Sequence, residues 1–408
     1  MRQTRHRDPE SRHRGPARGI LDTGTHGGLD TATARQCRGA DLNPVIELVR
    51  GLAAWMVFTA HAAHLLTPDP AFLKFLWTGV DLFFVISGFV FAPLLLSGGF
   101  AIRPYAIRRV FRLYPLYLVS LPLYYLIAPE SPDKLLYLLR HLVFLGTTSG
   151  AHEAFFFNPA YWSLPVEVEY YLLLPLLALI VAGRLWVVLA LFGGFCVVRF
   201  GIVLGATSFA SPDPNWLSIL RVHLPGILIQ FLIGVFVHVA HQHWSDSGRR
   251  LWPMLAGAGG FALWLSLGLF FARHGDPGIS AHLWLKSYFS LLCAIGYGLM
   301  LFGLLGLLRG LDGRARRSAF FLGNLSYGVY LFHILVLRLY ERSDLALPGV
   351  LAFIVCALAV LVLALLGHHL VEHPARTFGR RLASRYQPMQ APLHSRERAA
   401  DSSLGSAQ

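Results

Sequence analysis

Arg50 and His61 stand eleven residues apart inside the first strongly apolar stretch of a 408-residue chain. An ionisable group at membrane depth is costly to bury, so residues retained there point to function before packing. Eleven steps of 100° return to within about 20° of the starting face, and a rise of 1.5 Å per residue sets the two about 16 Å apart. One helix face therefore carries a guanidinium near one interface and an imidazole near mid-membrane. An imidazole so placed has the chemistry of a general base. His64 follows at i+3, the spacing of a metal pair, but no third ligand at useful spacing accompanies it, and no metal is expected.

Other polar groups recur in apolar surroundings. Asp81, in the run Gly79 to Phe89, lies roughly 13 Å below the start of its segment, and His61 roughly 8 Å below the end of its own, so the two are expected at similar depth. Asp81 then either pairs with His61 and fixes its tautomer or caps its helix from the loop. Between Arg103 and Pro115 lie Arg108, Arg109 and Arg112. Arg109 and Arg112, at i and i+3, suit phosphate binding through forked donors, although arginines also gather on loops merely to set topology.

Two carboxylates, Glu167 and Glu169, enter the membrane behind Tyr161, Trp162 and Ser163, and one of them is expected to be functional. Glu167 falls some 9 Å inward, at a depth comparable with His61. Near the end, Asn324, Ser326, Tyr327, Tyr330 and His333 put polar groups into another span. His333 reads equally as a hydrogen-bonded core residue or as part of a site.

Positioning these groups takes a bundle of membrane helices. Apolar segments long enough for a core of about 30 Å occur near residues 45–66, 72–97, 110–129, 161–182, 185–204, 219–240, 251–272, 282–308, 318–339 and 347–371. A stretch at 135–148 is shorter and contains Arg140 and His141. If it does not cross, 26 Arg and Lys residues fall on one side and seven on the other, and the rich side is the cytoplasmic one. The expectation is an all-α polytopic membrane protein of ten spans with both termini cytoplasmic, and 135–148 amphipathic or re-entrant at the outer face. Residues 1–43 are expected to form a disordered cytoplasmic arm, or to reflect a start set too far upstream. Residues 44–378 form the membrane domain, and 379–408 a disordered tail.

Composition agrees. The chain is 55% hydrophobic and 14% charged, against about 25% charged in soluble proteins. Its net charge of +13 sits between apolar segments and in the tails, with no aromatic-interleaved soluble module, so nucleic acid is not an expected partner. Cys37, Cys196, Cys293 and Cys356 show no paired spacing, which supports neither a disulfide framework nor a zinc site. The first 40 residues lack the apolar core of a secretory signal.

Taken together, the motifs resemble the acyltransferase-3 family of integral-membrane O-acyltransferases acting on bacterial surface glycans. Arg50 and His61 match its Arg-x10-His pattern. Gly79 to Phe89 matches its Gly-Val-Asp-x-Phe-Phe-x-x-Ser-Gly-Phe element, and Arg108, Arg109, Arg112 and Pro115 its Arg-Arg-x-x-Arg-x-x-Pro loop. Trp162, Ser163, Leu164, Val166 and Glu167 match its Trp-Ser-Leu-x-Val-Glu segment, and Ser326, Tyr327, Tyr330 and His333 its Ser-Tyr-x-x-Tyr-x-x-His. Two departures occur. Val168 stands where the family has a second glutamate, favouring Glu167 over Glu169, and its Glu-Arg-Pro appears as Glu372-His373-Pro374, leaving His373 without a role.

The resemblance implies transfer of an acyl group, usually acetyl, from cytoplasmic acyl-CoA, a co-substrate rather than a bound cofactor, to a hydroxyl of a glycan or small molecule. It implies a bacterial inner-membrane location, no fused hydrolase-like domain, and an outer step completed by the membrane domain or by a separate extracytoplasmic protein. On that reading His61, Asp81 and Glu167 are catalytic, Arg50, Arg108, Arg109 and Arg112 bind the donor, and Trp162, Ser163, Ser326, Tyr330 and His333 flank the acceptor. The competing class is a carrier or flippase for a lipid-linked glycan.

Overall fold

The computed structural model describes residues 43–208, 216–245 and 251–386. The arm expected over 1–43, apart from Asn43, and the tail beyond 386 lie outside the described residues. Among the described residues the fold is all helix, and ten helices are long and apolar enough to cross a membrane: Pro44–Leu66, Ala71–Leu96, Ile102–Ile127, Pro159–Val181, Leu185–Ser208, Trp216–Trp244, Leu251–Ser280, Leu283–Leu307, Gly313–Glu341 and Gly349–Ser384. They are called spans one to ten below.

Local chemistry sets several ends. Asn43 caps span one by accepting a bond from the Val45 N–H at 2.9 Å, with Pro44 at the first helical position, where its missing N–H costs nothing. On span four, Leu172, Leu176 and Leu179 are exposed while Tyr170, Leu174, Leu177 and Val181 are buried. With water excluded on both sides of such a helix, an apolar outer face is a lipid face, and packing rather than hydrophobicity chooses the inner one. Spans one and nine meet closely: a Cβ on Gly51 would lie 2.6 Å from Leu322 Cβ, and one on Gly323 would lie 2.6 Å from Glu47 Cβ.

Three segments differ from the sequence expectation. The arginines from Arg103 to Arg112, expected in a loop, form the first turns of span three. A helix already nucleated in the membrane propagates cheaply, and arginine stems tolerate apolar surroundings while their heads reach polar ground. Span seven runs eight residues past 272, bending at Gly275, whose φ is 57°. The tenth continues past 378: Gly349–Gly367 passes through a π-helical turn, His368–Glu372, into the helix His373–Ser384.

The 135–148 stretch forms the helix Lys134–Leu142, nine residues long and too short to cross. Leu135, Leu136 and Leu139 face outward while His141 is buried. The Nδ1–H of His141 bonds the Tyr137 carbonyl at 2.8 Å, and Arg140 reaches Glu153 at 3.0 Å. Burial holds the His141 imidazole below its ordinary pKa and pushes the Glu153 carboxyl up, against the opposing pull of Arg140.

Candidate active site

A cavity of about 450 Å³ lies among spans one, two, three, four, nine and ten. Six arginines line it: Arg50, Arg108, Arg109, Arg112, Arg376 and Arg380. The four expected from sequence are thus brought together, and two more come from beyond the π turn. Arg50 is paired with Glu47 at 2.7 Å, one turn before it on span one. Arg109 lies in an aromatic cage, its guanidinium 4.9 Å from the Phe91 ring and 5.8 Å from that of Tyr171; such faces hold a cation while leaving its edges free to donate. Arg112 reaches Glu372 at 2.9 Å.

Glu372 is the hub of this wall. It is 1% exposed and also takes Arg376 at 3.4 Å and His368 at 3.4 Å. A carboxylate that buried is stable only when paired and hydrogen-bonded, and here its partners are two cations that face the cavity. His368 and His373 line the same wall. Sequence reasoning matched Glu372 to a family motif without giving it a role, and missed Arg376, Arg380 and His368. The signal was available, since Glu372, Arg376 and Arg380 recur every four residues and so share a face.

The cavity is also lined by Ser163, Glu167, Ser326 and Tyr330. Glu167 accepts a short hydrogen bond from Tyr171. The Ser163 and Tyr330 hydroxyls are 2.7 Å apart, and Tyr330 also donates to the Ala160 carbonyl at 2.7 Å. Glu169 is occupied elsewhere: it bonds His223 and accepts from the Leu224 N–H at 2.9 Å. Of the two carboxylates, Glu167 alone lines the cavity.

His61 and His333 lie outside this lining. Their rings are 5.0 Å apart between centroids, and the Tyr330 ring is 5.9 Å from that of His333. The Nδ1 of His61 meets the Val57 carbonyl at 2.9 Å, and that of His333 meets the Tyr330 carbonyl at 2.8 Å. A carbonyl only accepts, so each Nδ1 carries the proton and each neutral ring keeps its lone pair on Nε2. The Nε2 of His333 is buried without a partner. Trp162 stands aside, edge-on to Phe84 with centroids 6.1 Å apart.

The expected pairing of Asp81 with His61 does not occur. Gly79 packs against span one, its would-be Cβ 2.8 Å from the Ala53 carbonyl. Two residues later the helix has turned about 200°, so Asp81 faces away from span one. It is 2% exposed, with Arg199 and Gln230 as its electrostatic partners. Arg199 in turn bonds the backbone carbonyls of Ser287 and Gly226. The contact of Gly79 with Ala53 and Val57 also sets Asp81 below the level of His61, and Glu167 lies one turn inward of Ser163. Neither shares the depth of the histidine. Among the described residues no group of three or more His, Cys, Asp or Glu side chains is placed to hold a metal ion.

Among the described residues ten apolar helices, six of which surround a chamber lined by arginines, a carboxylate and hydroxyls, make a multi-pass membrane protein. The chain belongs to the acyltransferase-3 family: the family's sequence profile, described as an acyltransferase domain, matches residues 43–369, and the protein is accordingly a membrane acyltransferase. It is also similar to an uncharacterized protein of Haemophilus influenzae, 27% identical over 193 residues that cover 40% of this chain and 76% of that one. No solved structure matches the chain.

Proposed function

We propose that the protein transfers an acyl group, acetyl in the simplest case, from acyl-CoA held in the arginine-lined cavity to a hydroxyl of a glycan or related small molecule. The observation that supports this reading most is the chamber itself. Six guanidiniums outnumber the acidic side chains around them and share one chamber with Ser163, Tyr330 and Glu167, a combination of anion-binding groups and hydroxyls that suits a donor with phosphates at one end and a thioester at the other. The basic end is the cytoplasmic one, where acyl-CoA is made, and the membrane is the bacterial inner membrane.

The donor thioester stops at the Ser163 and Tyr330 hydroxyls, and the acceptor approaches from the opposite end past His61. The acceptor oxygen bonds to the acyl carbon, the carbon–sulfur bond breaks, and the hydroxyl proton passes to Nε2 of His61 while CoA thiolate departs toward the arginines. His333 backs the His61 ring, and Tyr330 is the partition across which donor and acceptor meet. Asp81 has no part in this scheme, because its partners are Arg199 and Gln230.

Membranes containing the protein, supplied with radiolabelled acetyl-CoA, test the reading. Label arriving in a glycan fraction supports acyl transfer. Movement of a lipid-linked glycan across the membrane with no label incorporated would instead make the protein a carrier.

A further inference from the structure

The tenth span holds a row of charges that the donor reading does not by itself explain. Glu372, Arg376 and Arg380 follow one another every four residues, from the π-helical turn into the helix His373–Ser384, and so lie along one side of it. A π turn inserts one extra residue into a helix and commonly marks a functional site. Exposure rises along the row: Glu372 is buried, Arg376 is half-buried and Arg380 is exposed. Both arginines line the cavity. The row therefore runs from the packed wall, where Glu372 joins it to Arg112 of span three, out to the mouth.

We infer that Arg376 and Arg380 bind a phosphate monoester, the ribose 3′-phosphate of the donor, beside and outward of the diphosphate held by Arg108, Arg109 and Arg112. This rests on the acyl-CoA reading above. In acyl-CoA the thioester and the 3′-phosphate are at opposite ends of the molecule. With the thioester at Ser163 and Tyr330, the 3′-phosphate must lie at the mouth, where Arg376 and Arg380 stand. A phosphate monoester carries about −1.5 to −2 charges near neutral pH, which calls for more than one cation. Glu372, already shared between Arg112 and Arg376, fixes the inner arginine of the pair without neutralising the outer one.

The test uses the full chain purified in detergent and titrated with CoA and with 3′-dephospho-CoA, so no acceptor is needed. Wild-type protein should bind CoA about tenfold more tightly than 3′-dephospho-CoA, as expected for a charged hydrogen-bonded contact. In the doubly substituted Arg376→Gln, Arg380→Gln protein the affinity for CoA should fall to that for 3′-dephospho-CoA, which should itself not change. Arg380→Gln alone alters an exposed side chain, leaves folding intact, and should remove part of the difference. Arg381→Gln, on the same helix but outside the cavity, should change neither affinity. Equal losses for both nucleotides, or the same loss from Arg381→Gln, would overturn the assignment while leaving the donor reading standing. Wild-type protein that binds neither nucleotide would overturn both.

Discussion

Replacing Gly51 with alanine should slow acyl transfer far more than it unfolds the protein. The new methyl carbon would lie 2.6 Å from Leu322 Cβ, 2.9 Å from its carbonyl carbon and 3.0 Å from its carbonyl oxygen. Carbon atoms rest about 3.5–4.0 Å apart, and neither a Cβ nor a backbone atom can rotate out of the way. Spans one and nine must then separate by about 1 Å, at a cost of about 1–3 kcal/mol typical of overpacking. Span one holds Arg50 and His61, and span nine holds Ser326, Tyr330 and His333. The separation would therefore pull the His61 ring from that of His333 and loosen the 2.7 Å contact between Tyr330 and Ser163. Misplacement of reacting groups by 1 Å costs about a hundredfold in rate. The assay is label transfer from acetyl-CoA in membranes, normalised to the amount of protein, together with the midpoint of thermal unfolding in detergent. A rate within about twofold of wild type would refute the claim that this helix contact positions the site.

The two carboxylates of span four should separate by assay. Glu167→Gln should stop label transfer at an unchanged protein level, whereas Glu169→Gln, which leaves one acceptor oxygen for the two donors His223 and Leu224, should lower stability by about 1–3 kcal/mol and keep transfer per folded molecule. Asp81→Asn should likewise act on the melting temperature and leave transfer per folded molecule at the wild-type value, because Asp81 belongs with Arg199 and Gln230; loss of transfer in a protein with a wild-type melting temperature would restore it to the site.

What could be read from the sequence follows from which physical signals are local. Ten apolar stretches announce ten spans because the bilayer demands both length and apolarity from every crossing helix. The arginines that line the cavity were legible for a similar reason, since a cluster such as Arg108, Arg109 and Arg112 is visible without knowing its neighbours. The orientation of Asp81 was not. Its depth could be estimated by counting residues, but which neighbour it meets depends on the face that Gly79 presents to span one, and small residues on several faces of the same helix leave that choice open. The depth comparison itself failed because spans cross with different lead-ins, and eight residues of span two precede Gly79. Glu372 was noticed only as part of a motif, because its role lies in partners from two elements, Arg112 some 260 residues earlier and Arg376 one turn later. Glu167 and Glu169, two residues apart and both acidic, were told apart in the sequence only by the motif around Val168, and His223 occupies the second of them.

His61 is the residue on which the account turns, since its Nδ1 is tied to Val57 and its Nε2 is the nitrogen left to take the acceptor proton. The most direct measurement is label transfer from radiolabelled acetyl-CoA to glycan in membranes carrying His61→Ala, compared with wild type at matched protein level. Transfer should be abolished while binding of CoA in the arginine-lined cavity is retained. Transfer that persists at the wild-type rate would contradict this role for His61.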